Sequence, residues 1–156
     1  MPKKSAGLLL YRFLKQQLQV MLVHPGGPFW AKKDAGAWSI PKGEFDDIEE
    51  PLKAAIRETK EETGITVSGS FIELTVVKQK SGKLIYAWAL QSDTDTSKIV
   101  SNTFDIEWPP KSGKLKSFPE IDKAQWFNLD EALVKIVAGQ APLLPELQTK
   151  LNDQQV

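Results

Sequence analysis

Glu58 and Glu62 stand four residues apart, Glu61 falls three after Glu58, and Arg57 immediately precedes them. On a helix such spacings stack the side chains along one flank. Like charges crowded in this way repel by a few tenths of a kcal/mol per pair even when exposed. A divalent cation held between the carboxylates removes that repulsion. Hard oxygen ligands select Mg²⁺ or Mn²⁺ over Zn²⁺, and the chain has no Cys and a single His. Arg57, four before Glu61, can clamp it by charge-assisted hydrogen bonds and so fix which carboxylates stay free for metal. A metal on such a cluster neutralises phosphate oxygens, lowers the pKa of a bound water and orients it in line with the leaving group. That is the chemistry of phosphoanhydride hydrolysis. His24 has no Cys or triad partner in view, so acyl transfer fits poorly. The competing reading of the same acids is a solvated surface helix laced with ion pairs, which composition alone favours.

The element that positions these residues is a helix from about Pro51 to Thr63. Proline suits its first turn, where no backbone donor is needed, and Gly64 suits a left-handed stop. Leu52, Ala55, Ile56, Thr59 and Thr63 fall on one face, which is apolar or small and turns to the core. Glu58 and Glu62 flank that face.

The wider pattern is Gly43, five residues, Glu49, seven residues, Arg57-Glu58, then Glu61-Glu62 and Gly64-Ile65. It resembles the signature of the Nudix hydrolase family, the nucleoside diphosphate-linked moiety X pyrophosphohydrolases. Thr59 departs from it, standing where the family prefers a bulky aliphatic residue, and a packing change is expected there. The resemblance implies an α/β/α sandwich, with a mixed, mainly antiparallel sheet between helices. It also implies Mg²⁺- or Mn²⁺-dependent hydrolysis of a nucleoside diphosphate linked to another group. The metal would sit on Glu58, Glu61, Glu62 and the backbone carbonyl of Lys42, with Glu49 supporting Arg57 or the helix start. Arg57, Glu58, Glu61 and Glu120 are the catalytic candidates, Glu120 as the later acid that some members use as base or ligand. Glu44, Asp46 and Asp47 are expected to cap or face solvent.

Trp38 to Gly43, Trp-x-x-Pro-Lys-Gly, resembles the diadenosine polyphosphate and diphosphoinositol polyphosphate branches, so a dinucleoside polyphosphate or nucleoside triphosphate is the favoured substrate. Lys42 beside the motif glycine, and Trp38, Trp30 and Tyr86 as aromatics able to stack on a base, are the substrate-binding candidates. Two other readings stand beside this one. A catalytically silent sensing or protein-binding module is opposed by the intact set of acids. The second is an enzyme that removes pyrophosphate from RNA 5′ ends.

Composition narrows the setting. The 156 residues suit one domain, and twenty basic against twenty acidic side chains leave a formal charge of zero. No global field therefore attracts extended nucleic acid or an anionic membrane, although a nucleic-acid terminus could still be recognised. The amino-terminal apolar run, Ala6 to Tyr11, is too short for a leader or a span. Absence of Cys fits a reducing, cytoplasmic setting. A small nucleotide or polyphosphate is the expected partner, with the chain a monomer or a homodimer.

Along the chain, residues 5–13 and 19–24 read as an antiparallel pair around Lys15-Gln16-Gln17. A Pro/Gly loop fills 25–37, and 38–40 reads as a short strand. Residues 70–79 and 83–90 read as a hairpin around Lys80-Ser81-Gly82. The stretch 91–118 reads as polar and then irregular, 120–127 as a last strand, 130–138 as a helix ended by Gly139, and 145–151 as one more short helix.

Overall fold

A computed structural model describes residues 2–154. Its framework is β1 (Lys4–Leu14), apolar along most of its length and therefore able to lie in the middle of a sheet with both faces covered. On one side β1 pairs antiparallel with β2 (Gln17–Pro25), across a turn in which Lys15 and Gln16 both take positive φ. Further along that same edge it pairs antiparallel with the short β3 (Lys42–Glu44), and its opposite edge pairs in parallel with β6 (Leu84–Gln91). The two-residue strands β4 (Ile72–Glu73) and β5 (Val77–Lys78) add to β6, and β9 (Ile121–Asn128) adds to β2. The sheet is mixed and mainly antiparallel, as expected.

The alternation of β1 divides the core in two. Ala6, Leu8 and Leu10 join Met21 and Val23 against Ala54 and Ala55 of α1 (Pro51–Thr63). Leu9 and Tyr11 join Val20, Leu22 and Phe127 against α2 (Leu129–Lys135) and the leucines 143, 144, 147 and 151 of α3 (Leu143–Gln154). Helices thus cover both faces of the sheet. No helix among the described residues is long and apolar enough to cross a membrane.

Helix α1 begins and ends at the residues read from sequence, because Pro51 and Gly64 act on the backbone itself. Gly64 takes φ +78° and its N–H returns to Lys60 O at 2.7 Å. Thr59 is fully buried, and its hydroxyl donates to Ala55 O at 2.8 Å, so a polar atom on the core face is satisfied within the helix.

Three expectations need correction. Residues 38–40 form only isolated bridges, Ser39 to Val23 and Trp38 to Ile136, and the true ladder starts at Lys42. The stretch read as irregular contains a separate two-stranded sheet, β7 (Thr103–Glu107) with β8 (Leu115–Pro119). The prolines and the Ser-Gly pair that suggested irregularity lie in its tip. The last helix starts earlier and runs longer than 145–151, because its leucines repeat at helical spacing from Leu143.

Candidate active site

Arg57 organises the first half of the site. Its Nε and Nη2 donate to the two oxygens of Glu49, each at 2.8 Å, a fork-to-fork pairing that fixes the guanidinium plane. Its Nη1 then reaches Glu58 Oε1 at 2.8 Å and Glu61 at 3.2 Å. The hydrogen bond from Arg57 holds the Glu49 carboxyl below the usual range, and the same bond is the main reason the guanidinium is raised. Glu58 behaves differently. Its burial outweighs Arg57 and pushes its carboxyl above the usual range. Gly43 is what admits it there: a Cβ on Gly43 would lie 1.9 Å from Glu58 Oε2. The motif glycine thus supplies space for a carboxylate.

The second half centres on Glu62. Its Oε1 accepts the Lys42 backbone N–H at 3.1 Å. Burial, reinforced by the nearby charges of Glu120 and Glu58, pushes its carboxyl up to about 8. Burial also draws the Lys42 ammonium below the lysine range, helped by the like charge of Lys83. A cavity of about 230 Å³ brings Lys42, Glu62 and Glu120 together with Trp30 at its rim. Glu61, the most exposed of the motif acids on the helix, leans toward Arg57.

These donors fit a divalent cation. Among the described residues no three acidic, imidazole or thiol side chains already stand at coordinating distance. The donor set is nevertheless all oxygen, and Glu62 is a desolvated carboxyl in the field of two more acids, which a hard dication compensates better than any neutral partner.

Other expected contacts are placed unevenly. Trp30 is 39% exposed, with Lys33 Nζ 4.8 Å from its ring centroid, and it presents a face to the cavity. Trp38 is a correction. It is 2% exposed, packed edge-on against His24 and Phe127, and its indole N–H donates to Asp34 at 2.8 Å, which leaves no face for a base. Tyr86 is a second correction, since it packs edge-on against Phe45 at 5.6 Å on the α1 side of the sheet and does not line the cavity. His24 is buried, with Nδ1 2.9 Å from Asp122 and Nε2 2.6 Å from the Lys33 carbonyl, so it anchors the 25–37 loop. Asp46 caps the backbone of Ile48 and Glu49, while Asp47 pairs with Lys4 and Glu44 lies beside Lys3 and Lys83. Sequence reasoning missed Gln79 and Gln140, which line the same cavity from 61 residues apart. No local pattern links them.

A family model for the NUDIX domain matches residues 1–147. The chain belongs to the Nudix family. Members of that family generally use divalent metal ions. Among relatives, the asymmetrical bis(5′-nucleosyl)-tetraphosphatase of Caenorhabditis elegans is 41% identical over 63 residues, covering 40% of this chain and 41% of that protein. An RNA pyrophosphohydrolase of Bartonella bacilliformis is 33% identical over 117 residues, covering 65% of this chain and 63% of its own length. The matched stretches thus span roughly half of these curated Nudix relatives. In three dimensions the crystal structure of a C. elegans Ap4A hydrolase binary complex superposes with TM-score 0.66 at 26% identity, over 97% of this chain and 98% of that one.

Proposed function

We propose that this Nudix chain hydrolyses a phosphoanhydride bond in a nucleoside diphosphate linked to another group, with a dinucleoside polyphosphate or a nucleoside triphosphate as the favoured substrate. The observation that carries the reading is the buried Glu62 carboxyl, set beside Lys42 and Glu120 in one cavity and lacking a cationic side-chain partner among the described residues. The likeness to bis(5′-nucleosyl)-tetraphosphatase and Ap4A hydrolase supports the choice of substrate.

Glu58, Glu61, Glu62 and the Lys42 carbonyl would hold Mg²⁺ or Mn²⁺. When bound, the ion supplies charge neutralisation at the phosphate oxygens and a water acidic enough to attack at neutral pH. Arg57 orients Glu58 and Glu61 through its own grip on Glu49. Glu120, at the end of β8, faces the Glu62 side of the cavity and takes the proton from the attacking water. The Lys42 ammonium meets a phosphate oxygen, and Trp30 offers its ring to a base.

The test is a substrate panel with Mg²⁺ and with Mn²⁺, covering nucleoside triphosphates, diadenosine polyphosphates, nucleotide sugars and ADP-ribose, with the products identified. Release of a nucleotide product from diadenosine tetraphosphate, abolished by chelation, is the expected result. Absence of metal-dependent turnover across the panel sinks the reading and leaves the silent binding module. The Bartonella relative warrants one more substrate, 5′-triphosphorylated RNA. Preference for that RNA over free nucleotides would replace the favoured substrate.

A further inference from the structure

One polar group in the cavity has no part in the chemistry above. Gln140 is completely buried, at the end of the 3-10 turn Ala138–Gln140 that follows α2. The backbone N–H of Ile40 donates to its Oε1 at 3.0 Å. A backbone amide can only donate, so the carbonyl end of this side chain is fixed. Its Nε2 therefore points the other way, to Ser39 Oγ at 3.1 Å and Gln79 Oε1 at 3.2 Å. Ser39 closes the logic, because its own O–H is already given to Ile40 O at 2.6 Å and its oxygen must accept.

The constraint passes along to Gln79. With Oε1 turned to the Gln140 donor, its Nε2 is the end left over, and no acceptor among the described residues takes it. The backbone beneath it is held as well. Gln79 N–H donates to Lys83 O at 2.9 Å, Gly82 N–H donates to Gln79 O at 2.8 Å, and Gly139 packs so near that a Cβ there would meet Gln79 Cα at 2.9 Å. A glutamine amide is ordinarily ambiguous about which end faces a ligand. Here a chain of three obligatory donors settles it.

We propose that Gln79 is a specificity-determining residue that donates an N–H to an acceptor on the heterocyclic base of a nucleotide in this cavity. A base fits better than a phosphate. The donor is neutral, its cavity neighbours Val137 and Ala37 are apolar, and Trp30 supplies an aromatic face across the same space. Phosphate oxygens are matched by cationic donors, and the one cationic side chain among the described residues lining the cavity is Lys42, already given to a phosphate oxygen above. The inference rests on the nucleotide reading and adds which residue reads the base.

The test is calorimetric binding of AMP, without metal, to the wild-type protein and to Gln79→Ala, Gln79→Glu and Gln140→Leu. Gln79→Glu keeps an oxygen for Gln140 while putting an acceptor where the donor was. Expected losses of affinity are about tenfold for Gln79→Ala, more for Gln79→Glu, and a few-fold for Gln140→Leu, which frees the amide without removing it. Among 1-deaza, 3-deaza and 7-deaza AMP, one should bind the wild-type protein as weakly as Gln79→Ala binds AMP, and lose nothing further on Gln79→Ala. Ribose 5-phosphate, which has no base, should bind all four proteins alike. Equal AMP affinity in the wild-type protein and Gln79→Ala, no AMP binding at all, or the same loss with ribose 5-phosphate overturns the inference. Turnover is read separately. Failed hydrolysis with the AMP coupling intact breaks only the hydrolase reading, and hydrolysis without the coupling breaks only this one.

Discussion

Arg57 and Lys42 both meet acids of the motif, and they answer them differently, Arg57 with a charged side chain and Lys42 with a backbone N–H. Around Arg57, one guanidinium is shared by Glu49, Glu58 and Glu61, and the Glu49 pair is satisfied atom for atom. Around Lys42 only the backbone N–H reaches Glu62, and burial keeps that carboxyl protonated far above the usual range. In the first region the Glu49 pair is complete as it stands, while burial still outweighs Arg57 at Glu58. The second is an unfinished electrostatic arrangement that a dication would finish. Acids of one motif thus divide into a structural brace, Glu49 forked on Arg57, and a chemical site, Glu58 and Glu62, four apart on one helix and both raised by burial.

Four changes test this division. Glu62→Gln carries the largest expected effect, a fall in turnover by orders of magnitude with the fold retained, measured as kcat on the best substrate of the panel alongside a melting curve. Unchanged turnover would show that Glu62 is no part of the site. Gly43→Ala should come next, with kcat down by about a hundredfold and little loss of stability. The added methyl displaces the end of a flexible Glu58 side chain and meets no backbone among its nearest neighbours. A stability loss as large as a buried backbone clash would show that Gly43 matters for the chain path instead.

The third effect is a pH dependence of the metal-free protein. The native Glu62 carboxyl holds its proton up to about 8, whereas the ordinary group releases it near 4.5. Between those values the native state binds more protons than the unfolded state, so stability falls as pH rises through the window, by up to a few kcal/mol. Urea unfolding from pH 5 to pH 8 should show that decline, Glu62→Gln should flatten it, and saturating Mg²⁺ should oppose it increasingly toward high pH. A flat profile in the wild-type protein would mean that the two regions are not electrically distinct. The smallest effect is expected for Arg57→Lys, which loses the fork on Glu49 yet keeps the charge, and should cost about 1 kcal/mol in the same unfolding experiment.

What could be read from the sequence follows from how locally each feature is determined. Helix α1 was legible to the residue because Pro51 and Gly64 constrain the backbone without help from the rest of the chain. The strands β1, β2, β6 and β9 were legible because each carries a continuous or alternating apolar run. Trp38 and Tyr86 were misplaced as substrate contacts because an aromatic residue looks the same in sequence whether its ring lines a cavity or fills a core. The β7–β8 sheet was missed because its strands bury little, and its turn residues outnumber its apolar ones. Gln79 and Gln140 could not be paired at all, since their relation exists only after the connection between α2 and α3 has been laid across the end of β5.

The arm formed by β7 and β8 is joined to the body in a way that makes it modular. Its two ends lie side by side, with Glu120 N–H donating to Asn102 O at 2.8 Å and Asn102 N–H to Glu61 O at 3.0 Å. No residue between 103 and 119 belongs to either core cluster. It touches the rest chiefly through Phe104 over Gly27 and Trp108 against Phe29. An appendage whose ends meet and whose residues stay out of both cores can be shortened, exchanged or lost by insertion and deletion without retuning the sheet. Residues 102 and 120 are therefore a natural splice site, where arms of different length and charge could be grafted beside an unaltered set of acids.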